Sequence, residues 1–293
     1  MNNCHSFRNT GLIQVLVVGI FTIANTSGAT KGDTRIVNGT VVANRAQFPY
    51  QVSLRVKSAN FHFCGGTIIA QGVILTAAHC FKEHPVSSVV AVVGDLDISQ
   101  TSRQTVRMEL AQVKIHPKHN STSFENDVAV ALTKKNFTWS STVNFLPLAS
   151  ITPMVGTECY ISGWGSIYFR GPASSKLLYA MVPIVDRGTC TFAYGGRLTE
   201  DMLCAGYIEG TADACNGDSG GPLACDGAVA GIVSWGYGCA FALFPGVYTD
   251  VAYFKNWIEA QIENYVPNSG HSTTHYLQIN MVLFLILCVM LTK

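Results

Sequence analysis

Three short stretches of this chain hold residue types that perform acyl transfer when they are brought together. The densest is Asp213-Ala-Cys-Asn-Gly-Asp-Ser-Gly-Gly-Pro222, one serine among glycines and acids, set between apolar segments. A serine hydroxyl is a poor nucleophile, so it needs a base to take its proton and donors to hold the charge that develops on the carbonyl oxygen. Gly217, Gly220 and Gly221 permit the tight turns in which the amide N–H groups of Gly217 and Ser219 converge as an oxyanion hole. A base is offered by Leu75-Thr-Ala-Ala-His-Cys80, where His79 follows an apolar run and adjoins a cysteine able to pin its backbone. Asn126-Asp-Val-Ala-Val-Ala-Leu132 offers the third member: Asp127 heads an apolar strand, where a buried carboxylate can orient a histidine through its ring N–H. Taken singly, these are also a surface turn, a structural histidine and a strand cap.

Positioning such residues requires a scaffold, and the pattern of the chain is that of β-structure. From Ile36 to about Asn144, and again from about Pro147 to Thr249, short Val/Ile/Leu/Phe runs alternate with Gly, Pro, Asn and Ser clusters. Short strands with frequent turns predict an all-β barrel or sandwich. Only Val251 to Tyr265 reads as a helix, with Phe254, Trp257, Ile258 and Ile262 at three- and four-residue spacing. No internal repeat and no Pro- or Ser-rich linker divides the chain.

With 293 residues, 48% of them apolar, the chain can bury a large core, and with 13% charged residues and a net charge of +1 nothing points to a nucleic-acid binder or a basic membrane-surface protein. Ten cysteines without the spacing of a zinc site point to an oxidising compartment and to no bound metal. Residues 1–26 read as a secretory signal, with Arg8 before the apolar run Gly11 to Ala24, too short for a membrane span. At the other end, residues 267–293 place small residues at Asn268, Ser269 and Gly270, then a polar spacer, then the apolar run Met281 to Leu291. That order predicts a GPI-attachment signal with Asn268 as the lipidated residue, and therefore a cell-surface protein; a short tail anchor, an extra packed helix and a secreted protein with its tail cut off are the alternatives. Removing both ends takes away Cys4 and Cys288 and leaves Cys64, Cys80, Cys159, Cys190, Cys204, Cys215, Cys225 and Cys239, which admit on the order of a hundred pairings. Sequons at Asn38, Asn120 and Asn136 permit glycosylation in a secreted protein.

The order His79, Asp127, Ser219, with GDSGGP and TAAHC intact, resembles the chymotrypsin-like (trypsin family) serine proteases. The resemblance implies two six-stranded antiparallel β-barrels with a C-terminal helix on the second barrel and the active site between the barrels, His79 and Asp127 coming from the first and Ser219 from the second. It implies the disulfides Cys64–Cys80, Cys159–Cys225, Cys190–Cys204 and Cys215–Cys239. It marks 27–35 as an activation propeptide and 36–266 as the protease domain. Cleavage at Arg35–Ile36 would free an α-amino group to pair with Asp218. It further implies Asp213 at the base of a specificity pocket, with Gly236 and Gly246 as thin walls and Ser234, Trp235 and Gly236 offering backbone to an extended substrate.

The expected activity is therefore a serine endopeptidase cleaving after Arg or Lys. It would need no cofactor, act as a monomer on protein or peptide substrates, and meet protein protease inhibitors as further partners. A catalytically silent homologue serving as a surface binding module is the alternative. Asp95 stands where trypsins place a calcium-binding acid, but Gln104 and Thr105 occupy the region of the second acid, so no calcium dependence is expected.

Overall fold

A computed structural model describes residues 36–263 and 265. The segments expected to be a signal (1–26), an activation propeptide (27–35, with Arg35) and a GPI-attachment tail (267–293, with Asn268) lie outside the described residues. After the buried Ile36, a two-residue strand β1 (Thr40–Val41) leads into β2 (Gln51–Val56), β3 (Phe61–Ala70), β4 (Val73–Thr76), β5 (Val89–Val93), β6 (Val106–Ile115) and β7 (Ala129–Thr133). Strands β2 to β7 close as a six-stranded antiparallel barrel in the order β2-β3-β4-β7-β6-β5, shut by the β2–β5 pairing in which Ser53 faces Val92. The second half supplies β8 (Glu158–Gly163), β9 (Leu178–Val185), β10 (Met202–Ala205), β11 (Pro222–Cys225), β12 (Ala228–Trp235) and β13 (Gly246–Asp250). These run β9-β10-β13-β12-β11-β8, and the β8–β9 pairing closes a second six-stranded barrel. Closure leaves neither sheet with an edge of unpaired backbone groups. The two-barrel fold expected from the resemblance is what forms.

Three details differ from the sequence reading. Strand β1 lies in the first half of the chain yet pairs with β9 of the second barrel, Thr40 opposite Tyr179. A short helix, α1 (Arg187–Ala193), precedes β10, where only strands were expected. It has too few turns and, with Gly188, too weak a period to stand out. What holds it is local and tertiary: the Asp186 carboxylate caps it by accepting from Thr189 N at 2.9 Å, and the Cys190–Cys204 disulfide ties it to β10. The last helix, α2 (Val251–Glu263), is expected on the second barrel and reaches further than that. It does touch β12, but its buried Val251, Phe254 and Ile258 join the core that also holds Val52, Leu75 and Val130 of the first barrel. His116, at the end of β6, sets its ring edge-on to Phe254 and Trp257 at 5.1 and 4.9 Å. The helix thus ties both barrels together.

Strands β4, β5 and β7 are buried at every residue, which is why they read as continuous apolar runs rather than alternating ones. The barrels meet through a buried hydrogen bond from Ser162 Oγ of β8 to Gln51 Oε1 of β2, 2.6 Å. All four disulfides have the pairings that the resemblance implied.

Candidate active site

Asp127 sits just before β7 and is completely buried. Burial alone would raise its pKa, but it is paid back by three donors: His79 Nδ1 at 2.7 Å, His79 N at 2.9 Å and Ser234 Oγ at 2.5 Å. The net effect holds this carboxyl below its ordinary value, so it stays ionised. With Nδ1–H committed to Asp127, the other ring nitrogen of His79 is the one that can accept a proton. His79 lies on a short turn, Ala78–Phe81, that follows β4, and the Cys64–Cys80 disulfide fastens this turn to β3. The ring is one-fifth exposed and meets the edge of Phe124 at 5.5 Å.

Ser219 lies across a cleft that it lines together with His79, Gly217 and Phe124. Its carbonyl accepts from Gly65 N of β3 at 2.7 Å, so the loop of the second barrel that carries Ser219 is anchored on the first. Among the described residues its Oγ has no hydrogen-bond partner; in free enzymes such bonds commonly tighten only when substrate arrives. Gly217 adopts φ +99°, a conformation that side chains resist, and this supports the turn expected there. Asp218, the residue between them, turns its carboxylate inward. Oδ1 accepts from Gly165 N at 2.8 Å and Oδ2 from Cys215 N at 3.0 Å. A Cβ on Gly165 would fall 2.4 Å from Asp218 Oδ2, which explains the glycine after Trp164.

Beside Ser219 opens a pocket of about 280 Å³ with Asp213 among its lining residues. Ser234, Trp235, Gly236, Gly246 and Tyr248 also line it. Asp213 is 5% exposed; Oδ2 accepts from Ala240 N at 2.9 Å, whereas Oδ1 has no partner. Burial pushes its pKa up to about 7, against the pull of the Ala240 and Ala214 amides and helped by nearby Asp218. The structure therefore brings His79, Asp127, Ser219, Gly217, Asp213, Gly236 and Gly246 to one region, as the sequence reading required.

The Trypsin family model matches residues 36–258. The chain belongs to the trypsin family of serine proteases. The match takes in both barrels and most of α2. The chain is 37% identical over 246 residues to a trypsin of Xenopus laevis, an alignment covering 84% of this chain and 98% of that one. It is 38% identical over 248 residues to the anionic trypsin of Canis lupus familiaris, covering 84% and 97%. With the trypsin of Sus scrofa it shares 39% over 235 residues, covering 80% and 98%.

Within this trypsin-family frame, sequence reasoning missed the hydroxyl of Ser234, which was named only for its backbone, and the ring of Phe124. Ser234 and Asp127 lie 107 residues apart, and no local pattern announces their bond. Thr249 Oγ1, likewise unforeseen, donates to the Asp127 carbonyl at 2.8 Å. Asp95, weighed as a calcium ligand, instead engages Arg55 and Thr105.

Proposed function

We propose that this serine protease is an endopeptidase that cleaves after arginine or lysine and is made as a zymogen cut at Arg35–Ile36. The observation that carries the specificity is Asp213 Oδ1, buried in the pocket beside Ser219 and without a donor. A buried carboxylate oxygen left unpaired is costly, and an entering guanidinium or ammonium would supply both charge and N–H. Glycine at 236 and 246 keeps the pocket open for a long side chain, and Ser234, Trp235 and Gly236 offer backbone to the substrate strand.

In the reaction, His79 takes the Ser219 proton as Oγ attacks the scissile carbonyl, and Asp127 holds the imidazole in the tautomer that this requires. The N–H groups of Gly217 and Ser219 hold the oxyanion, and His79 then protonates the leaving amine. Water, activated by the same histidine, repeats the cycle on the acyl-enzyme and releases the second product.

Two features support activation by cleavage. Ile36 is fully buried in the second barrel's core at φ +57°, a strained setting for a β-branched residue with a peptide bond before it. Asp218 is buried with only backbone donors, and burial pushes its pKa to about 6. A free ammonium at Ile36 would remove the first strain and neutralise the second charge. Deprotonating that ammonium, whose folded pKa the pairing raises above its unfolded value of roughly 8, would undo the active form. Activity therefore persists at neutral pH and fades as pH rises through the raised value; activity still climbing above about pH 11 would contradict the pairing.

Four disulfides support passage through an oxidising secretory pathway, and the segments 1–26 and 267–293 carry the proposals of a cleaved signal and a GPI anchor at Asn268. Among the sequons, Asn120 is exposed, Asn136 has an enclosed Oδ1, and the Asn38 amide nitrogen already donates to Thr211 O at 2.6 Å. Asn120 is accordingly the preferred glycan site. Release from intact cells by a phosphatidylinositol-specific phospholipase tests the anchor.

The decisive experiment compares matched peptides ending in Arg, Lys, Phe or Ala, using protein before and after cleavage at Arg35–Ile36. Turnover of Arg and Lys by the cut form alone is expected. Turnover of Phe alone would overturn the pocket assignment, and equal rates before and after cleavage would overturn the zymogen.

A further inference from the structure

A buried chain of polar side chains runs from Asp95, just after β5 of the first barrel, to the carbonyl of Gly217, and none of its members belongs to the triad or the pocket. Its inner end is His62 on β3, whose Nε2 lies 2.9 Å from the carbonyl oxygen of Gly217. A carbonyl can only accept, so Nε2 carries the proton and Nδ1 is bare. Nδ1 lies 2.8 Å from Ser53 Oγ on β2, and must therefore receive the serine's hydroxyl proton. With its proton committed, Ser53 Oγ is left to accept, and Arg55 Nε donates to it at 2.9 Å. Arg55, which can only donate, is held in turn by Asp95 Oδ2 at 2.6 Å. Every donor direction in this chain is forced. His62, Ser53, Arg55 and Asp95 are 8%, 0%, 1% and 1% exposed, so water does not compete for these bonds. Burial, with the Arg55 charge adding to it, lowers the pKa of His62 to about 4 against the Gly217 carbonyl, which keeps the ring neutral as the relay needs.

The carbonyl at the end matters because of where it sits. Gly217 is at φ +99° and has the widest choice of backbone conformations of any residue, so a fixed carbonyl holds the peptide unit it shares with Asp218 N, the unit that lies between those bearing the N–H groups of Gly217 and Ser219. We propose that Arg55, anchored on Asp95, is a positioning residue for the oxyanion loop, acting through Ser53 and His62 on the carbonyl of Gly217. The ion pair is thus more than a core contact. A buried pair is a weak stabiliser in itself, because both charges lose their water, and a directional role gives a reason for one here.

This inference rests on the reading of Gly217 and Ser219 as oxyanion donors. The test uses the full chain cleaved after Arg35, as wild type, R55K and the paired R55M/D95L. R55K keeps a cation facing Asp95 but lacks the Nε donor; R55M/D95L removes both charges together, so that neither is left buried alone. Three quantities are read: the rate at which a fluorophosphonate labels Ser219, kcat and KM for an Arg peptide ester, and the Ki of benzamidine, which needs only the pocket. The expected result is a labelling rate and a kcat lowered by about tenfold in both variants, less than the loss of a whole oxyanion donor, with KM and the benzamidine Ki within twofold of wild type. Losses that follow the melting temperature of each variant, or a benzamidine affinity that falls in step with kcat, would reduce the network to a structural role and overturn the proposal. So would unchanged labelling in R55M/D95L. A failure of the Arg/Lys reading is separable: it shows in the wild type as absent benzamidine binding, and the labelling ratio between wild type and variants still reports on the relay.

Discussion

Asp127 and Asp213 are both buried acids, 0% and 5% exposed, yet the molecule treats them in opposite ways. Around Asp127 the fold converges three donors from distant parts of the chain, and its carboxyl is held below the ordinary value. Around Asp213 it supplies backbone amides on one side only and leaves Oδ1 bare, so burial prevails and the pKa rises to about 7. The same residue type in the same low-dielectric setting is fully hydrogen-bonded in one place and left with an unpartnered oxygen in the other. What separates them is whether the protein itself completes the hydrogen bonds.

That contrast can be broken experimentally, and the largest effect is expected at Asp127. Asp127→Asn should lower kcat by roughly 10⁴, the magnitude expected when the acid that orients a catalytic histidine is lost, with benzamidine affinity unchanged. A loss below tenfold would mean that Asp127 does not orient His79. Asp213→Asn should cost about 10² to 10³ in kcat/KM for Arg peptides, because a cation would enter a pocket without its partner. The empty Asp213→Asn enzyme should at the same time melt higher than wild type, since an unpaired buried charge has gone. A lower melting temperature would show that Asp213 was already satisfied.

The pH response sharpens the comparison further. Asp213 has a raised folded pKa, so the folded protein holds an extra proton between its unfolded value near 4 and about 7; stability from this group is lost as pH rises through that window. A bound amidinium favours the ionised form, so benzamidine should bind more weakly as pH falls below about 7, approaching tenfold per unit. Asp127 contributes with the opposite sign: its stabilisation is present above its unfolded pKa and is lost as pH falls through its lowered folded value. Benzamidine Ki measured from pH 5 to 8 in the wild type and in Asp213→Asn should lose its slope in the variant, and a slope that survives would place the titration elsewhere.

The smallest effect concerns the pocket walls. A Cβ at Gly246 would meet Asp213 Oδ1 at 2.7 Å, whereas at Gly236 its nearest contact is an ordinary 3.7 Å to the Tyr194 hydroxyl. Gly246→Ala should therefore lower kcat/KM for Arg peptides by about tenfold and Gly236→Ala by distinctly less, as overpacking strain would dictate. Equal losses would show that both walls move freely.

Much of the site was legible before any fold was known, because the chemistry concentrates in short local runs. His79, Asp127 and Ser219 stand in segments whose neighbours mark them, and Asp213 lies in the same run as Ser219. The strands were legible because barrel interiors demand apolar runs bounded by turns. Helix α1 was not, because a cap and a disulfide hold it rather than a period. Nor was the bridging position of α2, since an apolar stripe says that a helix is buried and not against what.

By itself, the sequence marked Ser219, His79 and Asp127 as candidates for the reaction, and with them the two runs of strands and the acid Asp213 near Ser219, all of which depend on residues near one another in the chain. Only the tertiary structure decided which buried acid would be satisfied. Ser234 reaches Asp127 across 107 residues, Asp95 reaches Arg55 across 40, and His62 reaches Gly217 across 155. Hydrogen bonds act over about 3 Å of space and are blind to separation along the chain, so their partners are assigned only when the barrels close and meet.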